Sequence, residues 1–237
     1  MNRTQRLPTT FNKAKDYYQQ DWHDYYPTVL KLVPPNCSVL DLGCGRGGLL
    51  AHLRDKKNCQ VKGVDISDEA VEICLEKGIE VIKCDVEVDE IPGRYDAIIL
   101  SAVLEHLIDP PSVLNKLRSN LNDNGSLIVG VPNFSDIVSR IQYLRGKNVK
   151  RFGDNQEDME LGIQPLDHIQ FFNKASLTYL LERAGYKPIE WNYHKSSFSK
   201  NPKASPPRML IRWLIYKLYT IDHPLFSGFI TVRSLKA

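Results

Sequence analysis

Short apolar runs alternate with helix-length polar stretches along most of the chain. Five such runs, rich in β-branched residues, lie at residues 37–42, 60–66, 79–84, 95–101 and 126–131. Near-continuous apolar strands separated by helices are typical of a parallel sheet that is covered on both faces. The pattern therefore predicts an α/β fold with a doubly wound, mostly parallel sheet and helices on both faces.

The chain also indicates where its helices begin and end. An aromatic, mixed-charge stretch at residues 11–33 is predicted to be helical up to Pro34 and Pro35, and Ser67 and Gly78 bracket a helix over residues 67–77. Further helices are predicted at residues 49–57, 111–121 and 177–184. Two late strands, predicted at residues 188–193 and 229–235, bring the expected number of strands to seven.

Two long segments interrupt this alternation. Residues 133–167 contain a predicted helix at 135–146 and then a polar stretch, and residues 195–226 separate the last two predicted strands. Insertions of this length in an α/β domain are usually lids or docking surfaces.

The composition of the 237 residues excludes several classes of protein. Lys and Arg total 31 against 28 for Asp and Glu, and the resulting net charge of +3 argues against a strongly basic nucleic-acid binder. The start of the chain lacks the apolar core of a secretory signal, and five cysteines without a CxxC pair indicate reduced thiols. We therefore expect a cytoplasmic protein that binds no nucleic acid.

A glycine-rich turn follows the first predicted strand. Residues 41–48 have the sequence DLGCGRGG, in which Gly43, Gly45 and Gly48 satisfy the spacing G-x-G-x-x-G. Such a turn allows a ligand to approach the backbone closely at the start of a helix. Taken alone, the spacing fits either a dinucleotide site or a tight strand–helix turn.

Three acids stand at the carboxyl ends of three successive predicted strands. Asp41 would repel a pyrophosphate and attract an ammonium group, whereas Asp65, 20 residues after Gly45, suits ribose hydroxyls. Asp85 is placed to receive an adenine amino group. Each acid could instead cap the next helix or turn. Three together, at the edge where ligands of such sheets bind, favour a nucleoside site.

These motifs together resemble a known family. VLDLGCGRGGLL, VKGVDIS, CDV, YDAIILSAVLEHLIDPPSVLNKLRSNLNDNGSLIVGVPN, DHIQFF and LLERAGY occur in the order seen in class I S-adenosylmethionine-dependent methyltransferases. Within that superfamily the chain is most similar to the MetW-like and ubiquinone-biosynthesis-like small-molecule methyltransferases. The resemblance covers residues 36–193 and implies a Rossmann-like, seven-stranded sheet that ends in an antiparallel hairpin.

The resemblance implies one methyltransferase domain over residues 1–237. Its expected parts are a helical N-terminal cap (1–35), a cofactor-binding half (36–132), a lid insertion (133–167) and a substrate-side half (168–237) with the insertion 195–226.

The implied cofactor is S-adenosyl-L-methionine, with S-adenosyl-L-homocysteine as the product. Asp41 and the first two glycines would hold the methionine moiety, Asp65 the ribose and Asp85 the adenine. The full set of implied cofactor-binding residues is Asp41, Gly43, Cys44, Gly45, Asp65, Ile66, Asp85, Val86 and Ser101.

Two histidines are candidate catalytic residues, because an acceptor hydroxyl would need a general base. His106 follows the fourth predicted strand and His168 ends the first insertion. Alternatively, His106 packs against the glycine loop or caps its own helix, and His168 orders a loop. Glu105 and His106 match part of a metal site in some ubiquinone-type relatives. Ser101 and Leu104 stand where that site needs further acids, so we predict no metal.

Two basic regions bear on the identity of the acceptor. Arg140, Arg145, Lys147, Lys150 and Arg151 form either a solvated face or a grip for an acidic acceptor. Residues 191–221 contain no Asp or Glu, and their apolar stretch 209–219 is too short to span a bilayer. We interpret it as a helix buried over the substrate pocket or in a homodimer interface. The alternative is a peripheral membrane contact through residues 195–220.

We therefore predict S-adenosylmethionine-dependent methyl transfer to a small-molecule or a glycan- or lipid-linked acceptor. One alternative is an NAD-dependent oxidoreductase, against which Asp41 and the terminal hairpin argue. The other is a non-catalytic partner protein built on the methyltransferase fold, since binding a cofactor is not the same as turning it over.

Overall fold

The computed structural model describes residues 21–146, 168–194 and 222–237. These residues form seven strands and six α-helices. The elements are α1 (Tyr26–Leu32), β1 (Ser38–Leu42), α2 (Gly48–Lys57), β2 (Gln60–Asp65), α3 (Asp68–Glu76), β3 (Glu80–Lys83), β4 (Tyr95–Ser101), α4 (Pro110–Asn120), β5 (Leu121–Pro132), α5 (Ile137–Leu144), α6 (Lys174–Arg183), β6 (Tyr186–Tyr193) and β7 (Phe229–Lys236). Single 3₁₀ turns lie at Leu104–His106 and Pro224–Phe226.

The strands form one sheet with the order β3-β2-β1-β4-β5-β7-β6. Strands β1 to β5 pair in parallel, and β7 pairs antiparallel with both β5 and β6. The predicted parallel sheet with a terminal antiparallel hairpin is therefore confirmed. The order of the strands reverses between β1 and β4, and ligands of open α/β sheets bind beside such a reversal.

Helices cover both faces of the sheet. Successive residues of a strand point to opposite faces, so neighbouring residues of β1 pack against different helices. On one face, Val39 of β1 packs with apolar residues of α1 and α2. On the other face, Leu40 packs with α4 and α6. Both faces of the central strands are therefore buried, which explains why their sequences are almost continuously apolar.

Several predicted boundaries need correction. Residues 21–25 are not helical, and α1 begins only at Tyr26. Pro27 lies in its first turn, the helix position that proline favours because its missing N–H has no intrahelical partner there. Strand β5 begins at Leu121, five residues before the predicted start of 126, and pairs there with Tyr95 across an irregularity in the register. Helix α5 is shorter than the predicted 135–146, because the Asp136 side chain caps it by accepting a hydrogen bond from Ser139 N at 2.6 Å.

Other predictions fall outside the described residues. These are the helix over residues 11–20, most of the lid insertion, Lys147, Lys150 and Arg151, and most of the 195–226 insertion. A helix long and apolar enough to cross a membrane is absent from residues 21–146, 168–194 and 222–237.

Candidate functional site

The glycine loop connects β1 to α2 at the carboxyl edge of the sheet. Its start is held by Val64 of β2, whose carbonyl accepts hydrogen bonds from Gly43 N at 2.7 Å and Cys44 N at 3.1 Å. Gly45 has a φ of +52°, which disfavours any other residue, and a Cβ placed there would meet nothing within 4 Å. The loop therefore leaves open space beside its backbone at Gly45.

Asp65 fixes the shape of this loop. Its Oδ2 accepts a hydrogen bond from Gly45 N at 2.8 Å, and its Oδ1 accepts one from Ser67 N at 2.9 Å. Burial raises the pKa of the Asp65 carboxyl above its ordinary value, although the backbone N–H groups of Ser67 and Gly45 oppose that rise. The acid that was predicted from spacing alone thus contacts the glycine turn directly.

Asp41 lies at the carboxyl edge of β1 with only 3% of its surface exposed. Burial raises the pKa of its carboxyl well above the ordinary value, and the neighbouring charges of Asp65 and Cys74 raise it further. A cation bound next to Asp41 would favour the ionised carboxylate and relieve this cost. The chemistry of the site at β1 therefore suits an ammonium group.

The remaining residues predicted at the adenosine end occupy different environments. Cys44 is buried, with its thiol 4.0 Å from that of Cys74 and 3.8 Å from the carbonyl oxygen of Gly45. Ile66 is 48% exposed directly after Asp65, an unusual position for a large apolar side chain. Asp85 organises the turn after β3, where its Oδ1 accepts a hydrogen bond from Glu87 N at 3.0 Å. Val86 in the same turn is half-buried.

Ser101 ends β4 beside β5. Its hydroxyl oxygen is buried and has no hydrogen-bond partner among the described residues. The next residue, Ala102, has a φ of +59°, and its amide donates a hydrogen bond to Gly130 O at 2.9 Å. A left-handed backbone is uncommon for alanine and accumulates at functional sites. The chain thus leaves β4 by a sharp, strained turn that leads to His106.

The structure brings His106 and His168 together. Their ring centroids are 4.8 Å apart, and the chain after His168 is fastened by hydrogen bonds from Ile169 N and Gln170 N to Glu105 O at 2.9 and 3.0 Å. One donor atom each from Glu105, His106 and His168 lie within 4.8 Å of one another, a grouping of donors that a metal ion accepts. The absence of a metal stays a prediction.

Sequence reasoning missed a stack of rings near the carboxyl ends of β4 and β5. Tyr25 stacks on Phe229 with centroids 4.2 Å apart, and His23 stacks on Tyr25 at 5.2 Å. A Cβ at Gly130 would lie 2.7 Å from the Phe229 ring and 3.2 Å from the Ser101 hydroxyl, so the stack adjoins Ser101. The aromatic run WHDYY at residues 22–26 was a signal, but its partner Phe229 is distant in sequence.

Two further histidines belong to this region. Burial lowers the pKa of His23 and of His194 below the ordinary value, although Asp24 opposes both shifts. The amide of His194 donates a hydrogen bond to Phe229 O at 3.0 Å, which places this residue beside the ring stack. The edge between β4 and β5 is therefore lined by rings and imidazoles, whereas the edge between β1 and β3 is lined by acids.

Comparison with known proteins gives a consistent result. A family model described as "Methyltransferase domain" matches residues 7–190. The chain is 30% identical over 139 residues to a bifunctional methionine biosynthesis protein MetXA/MetW of Rhodopirellula baltica, covering 54% of this chain and 22% of that protein. It is 31% identical over 118 residues to a ubiquinone biosynthesis O-methyltransferase of Xanthomonas euvesicatoria, covering 46% of this chain and 48% of that enzyme. The matches thus span less than half of either relative.

Among solved structures, a similar fold occurs in a methyltransferase of Thermotoga maritima. The two chains share 19% identity with a TM-score of 0.61, over 96% of this chain and 92% of the other. At that identity the likeness concerns the fold alone.

Proposed function

Because the chain belongs to the class I S-adenosylmethionine-dependent methyltransferase family, we propose that it transfers a methyl group from S-adenosylmethionine to a small-molecule or a glycan- or lipid-linked acceptor. The observation that carries this proposal is the buried Asp41–Asp65 pair beside the open glycine loop. The two acids occupy the carboxyl ends of the adjacent strands β1 and β2. Asp65 accepts a hydrogen bond from the loop amide of Gly45, whereas burial raises the pKa of Asp41.

The residues at this edge fit the proposed cofactor. The buried carboxyl of Asp41 suits the ammonium group of the methionine moiety, and Asp65 would accept hydrogen bonds from the ribose hydroxyls. The open side of Gly45 leaves room for the ligand, and exposed Ile66 with the turn at Asp85 would contact adenine. Val86, Gly43 and the backbone of Cys44 would complete the contact.

The cofactor supplies an activated methyl group, so the chain mainly has to position the acceptor and exclude water. Ser101, with its buried hydroxyl, would line the pocket where β4 ends. His106 and His168 would contact the acceptor, and either imidazole would take the proton of an acceptor hydroxyl. The stack of His23, Tyr25 and Phe229 would form an apolar wall across from them.

The acceptor itself is proposed to be anionic or linked to a lipid or glycan. Residues 191–221 contain no acid but six Lys or Arg residues, so their field is positive. Deletion of residues 199–219 with a short linker should leave S-adenosylhomocysteine binding near wild type and abolish methylation of the native acceptor. Flotation with anionic vesicles tests a membrane contact: binding that salt reverses supports it, and no binding supports a pocket cover or dimer contact. Loss of cofactor binding in a folded deletion variant would contradict this placement.

Isothermal calorimetry tests the cofactor proposal directly. We expect S-adenosylmethionine and S-adenosylhomocysteine to bind with micromolar dissociation constants, which correspond to a binding free energy of about −8 kcal/mol. The rival oxidoreductase function predicts binding of NAD instead. Heat with NAD and none with either adenosyl ligand would refute the proposal. A protein that binds both adenosyl ligands but labels no acceptor in a cell extract would favour the non-catalytic partner.

A further inference from the structure

Residues 21–25, the described residues before α1, reach the glycine loop through Asp21. The carbonyl oxygen of Asp21 sits 1.6 Å from the position that a Cβ on Gly48 would occupy. Gly48 does not adopt the left-handed backbone of Gly43, Gly45 and Gly47. Its conformation would therefore allow alanine, and the backbone of Asp21 is what excludes a side chain there.

The side chain of Asp21 adds a second connection to the same loop. Its Oδ1 accepts hydrogen bonds from Lys77 Nζ at 2.6 Å and from Arg46 Nε at 3.2 Å. Lys77 Nζ also donates to Arg46 O at 2.8 Å, so the three residues form a closed network. The hydrogen bond from Lys77, supported by Arg46, holds the pKa of the Asp21 carboxyl below its ordinary value, so the carboxylate is charged near neutral pH.

This network reaches the part of the loop that faces the proposed cofactor. Arg46 stands between Gly45, whose amide is bound by Asp65, and Gly47, which also has a positive φ. A loop with three left-handed glycines loses much conformational entropy when it is ordered. Contacts from outside the loop reduce that cost at the moment of binding, because they order the loop beforehand.

We propose that Asp21 is a positioning residue for the cofactor site: it fastens the segment before α1 onto the glycine loop, and Gly48 is required for that docking and not for contact with the cofactor. Asp21 acts through Arg46 and Gly48 and touches no reacting group. The effect on cofactor affinity rests on the proposed function, whereas the docking itself does not.

Two variants separate the two contacts. Gly48→Ala introduces a Cβ against the Asp21 backbone, at a helix position where alanine would otherwise be favourable. Asp21→Ala removes the carboxylate and leaves the backbone contact. We expect S-adenosylhomocysteine affinity to fall about tenfold in Gly48→Ala and about threefold in Asp21→Ala. The double variant should bind no more than about tenfold more weakly than wild type, because both changes release the same segment.

Three measurements distinguish positioning from general destabilisation. Hydrogen exchange of the amides at residues 43–51, followed without ligand, should accelerate in both variants. The conservative Asp21→Glu should recover part of the affinity, and salt at about 0.5 M should narrow the gap between wild type and Asp21→Ala. Asp55→Ala, which breaks the exposed Arg54–Asp55 ion pair on α2, is the matched control and should leave exchange and affinity unchanged.

Unchanged exchange and unchanged affinity in folded Gly48→Ala and Asp21→Ala would overturn the proposal. If Gly48→Ala does not fold, Asp21→Ala and Asp21→Glu decide the question by the same measurements. If wild type binds no S-adenosylhomocysteine, the proposed function fails, and the exchange rates still show whether Asp21 holds the loop.

Discussion

Asp65 is the residue whose replacement should weaken cofactor binding most specifically. Asparagine has the same shape, but it presents only one acceptor oxygen to the amides of Gly45 and Ser67 and turns an amide N–H₂ toward the other. It also removes the negative charge that would strengthen the hydrogen bonds from the ribose hydroxyls to this side chain. A charge-assisted hydrogen bond contributes about 1.5–3 kcal/mol. We therefore expect Asp65→Asn to weaken S-adenosylhomocysteine binding by about 10- to 100-fold, measured by calorimetry. Asp65→Ala should weaken it at least as much.

The loop contacts of Asp65 make a stability control necessary. Loss of one buried backbone bond should lower the free energy of unfolding by about 1–2 kcal/mol, measured by urea denaturation. Asp96→Asn is the matched control, because Asp96 also accepts a backbone hydrogen bond, from Ser38 N at 2.9 Å, but does so at the amino end of β4. A folded Asp65→Asn protein that binds S-adenosylhomocysteine like wild type would refute the assignment of the ribose site.

Three further predictions concern protonation, catalysis and metal. Because the pKa of Asp41 is raised in the free protein and a ligand ammonium favours its ionised form, cofactor affinity should rise with pH through the acidic range. Binding should release protons there, and calorimetric heats that do not vary with the buffer would contradict this. Replacing His106 or His168 by alanine should leave S-adenosylhomocysteine affinity within about threefold of wild type. Replacement of the imidazole that takes the acceptor proton should abolish transfer of labelled methyl groups into a cell extract, and replacement of the other should lower it. Labelling equal to wild type in both variants would contradict a role of these histidines on the acceptor side. Because we predict no metal, chelation with EDTA should change neither cofactor affinity nor methyl labelling. A stoichiometric metal retained by the purified protein would contradict the predicted absence of a metal.

The half of the fold that is proposed to bind the cofactor was predictable because its signals are local. Each of the first three strands has its own acid at or just after its carboxyl end, and parallel pairing brings those ends to one edge without further information. Asp65 could be assigned by its distance in sequence from Gly45, and the structure adds that the two are in direct contact. Strands β1 to β5 were recognised for the same reason, because each contains a short apolar run bounded by polar residues.

The contacts that escaped prediction depend on residues far apart in the chain. Gly48 completes the G-x-G-x-x-G spacing, yet the carbonyl of Asp21 is what requires a glycine there, and no local pattern identifies that partner. The early start of β5 was missed because NDNG at residues 122–125 has the composition of a turn. Pairing with Tyr95 nevertheless extends the strand back to Leu121.

The same distinction explains why the acceptor is harder to identify than the cofactor. Tyr25 precedes the sheet, Phe229 begins its last strand, and His106 and His168 follow different strands, yet all four surround the edge between β4 and β5. Asp65, in contrast, accepts hydrogen bonds from backbone amides at the glycine loop and at the start of α3, those of Gly45 and Ser67. We therefore expect that substitutions on the proposed acceptor side would change which acceptor is used without disturbing how the proposed methyl donor is held. Under the proposed function, the acceptor of this chain would therefore be sought through the rings and imidazoles at that edge.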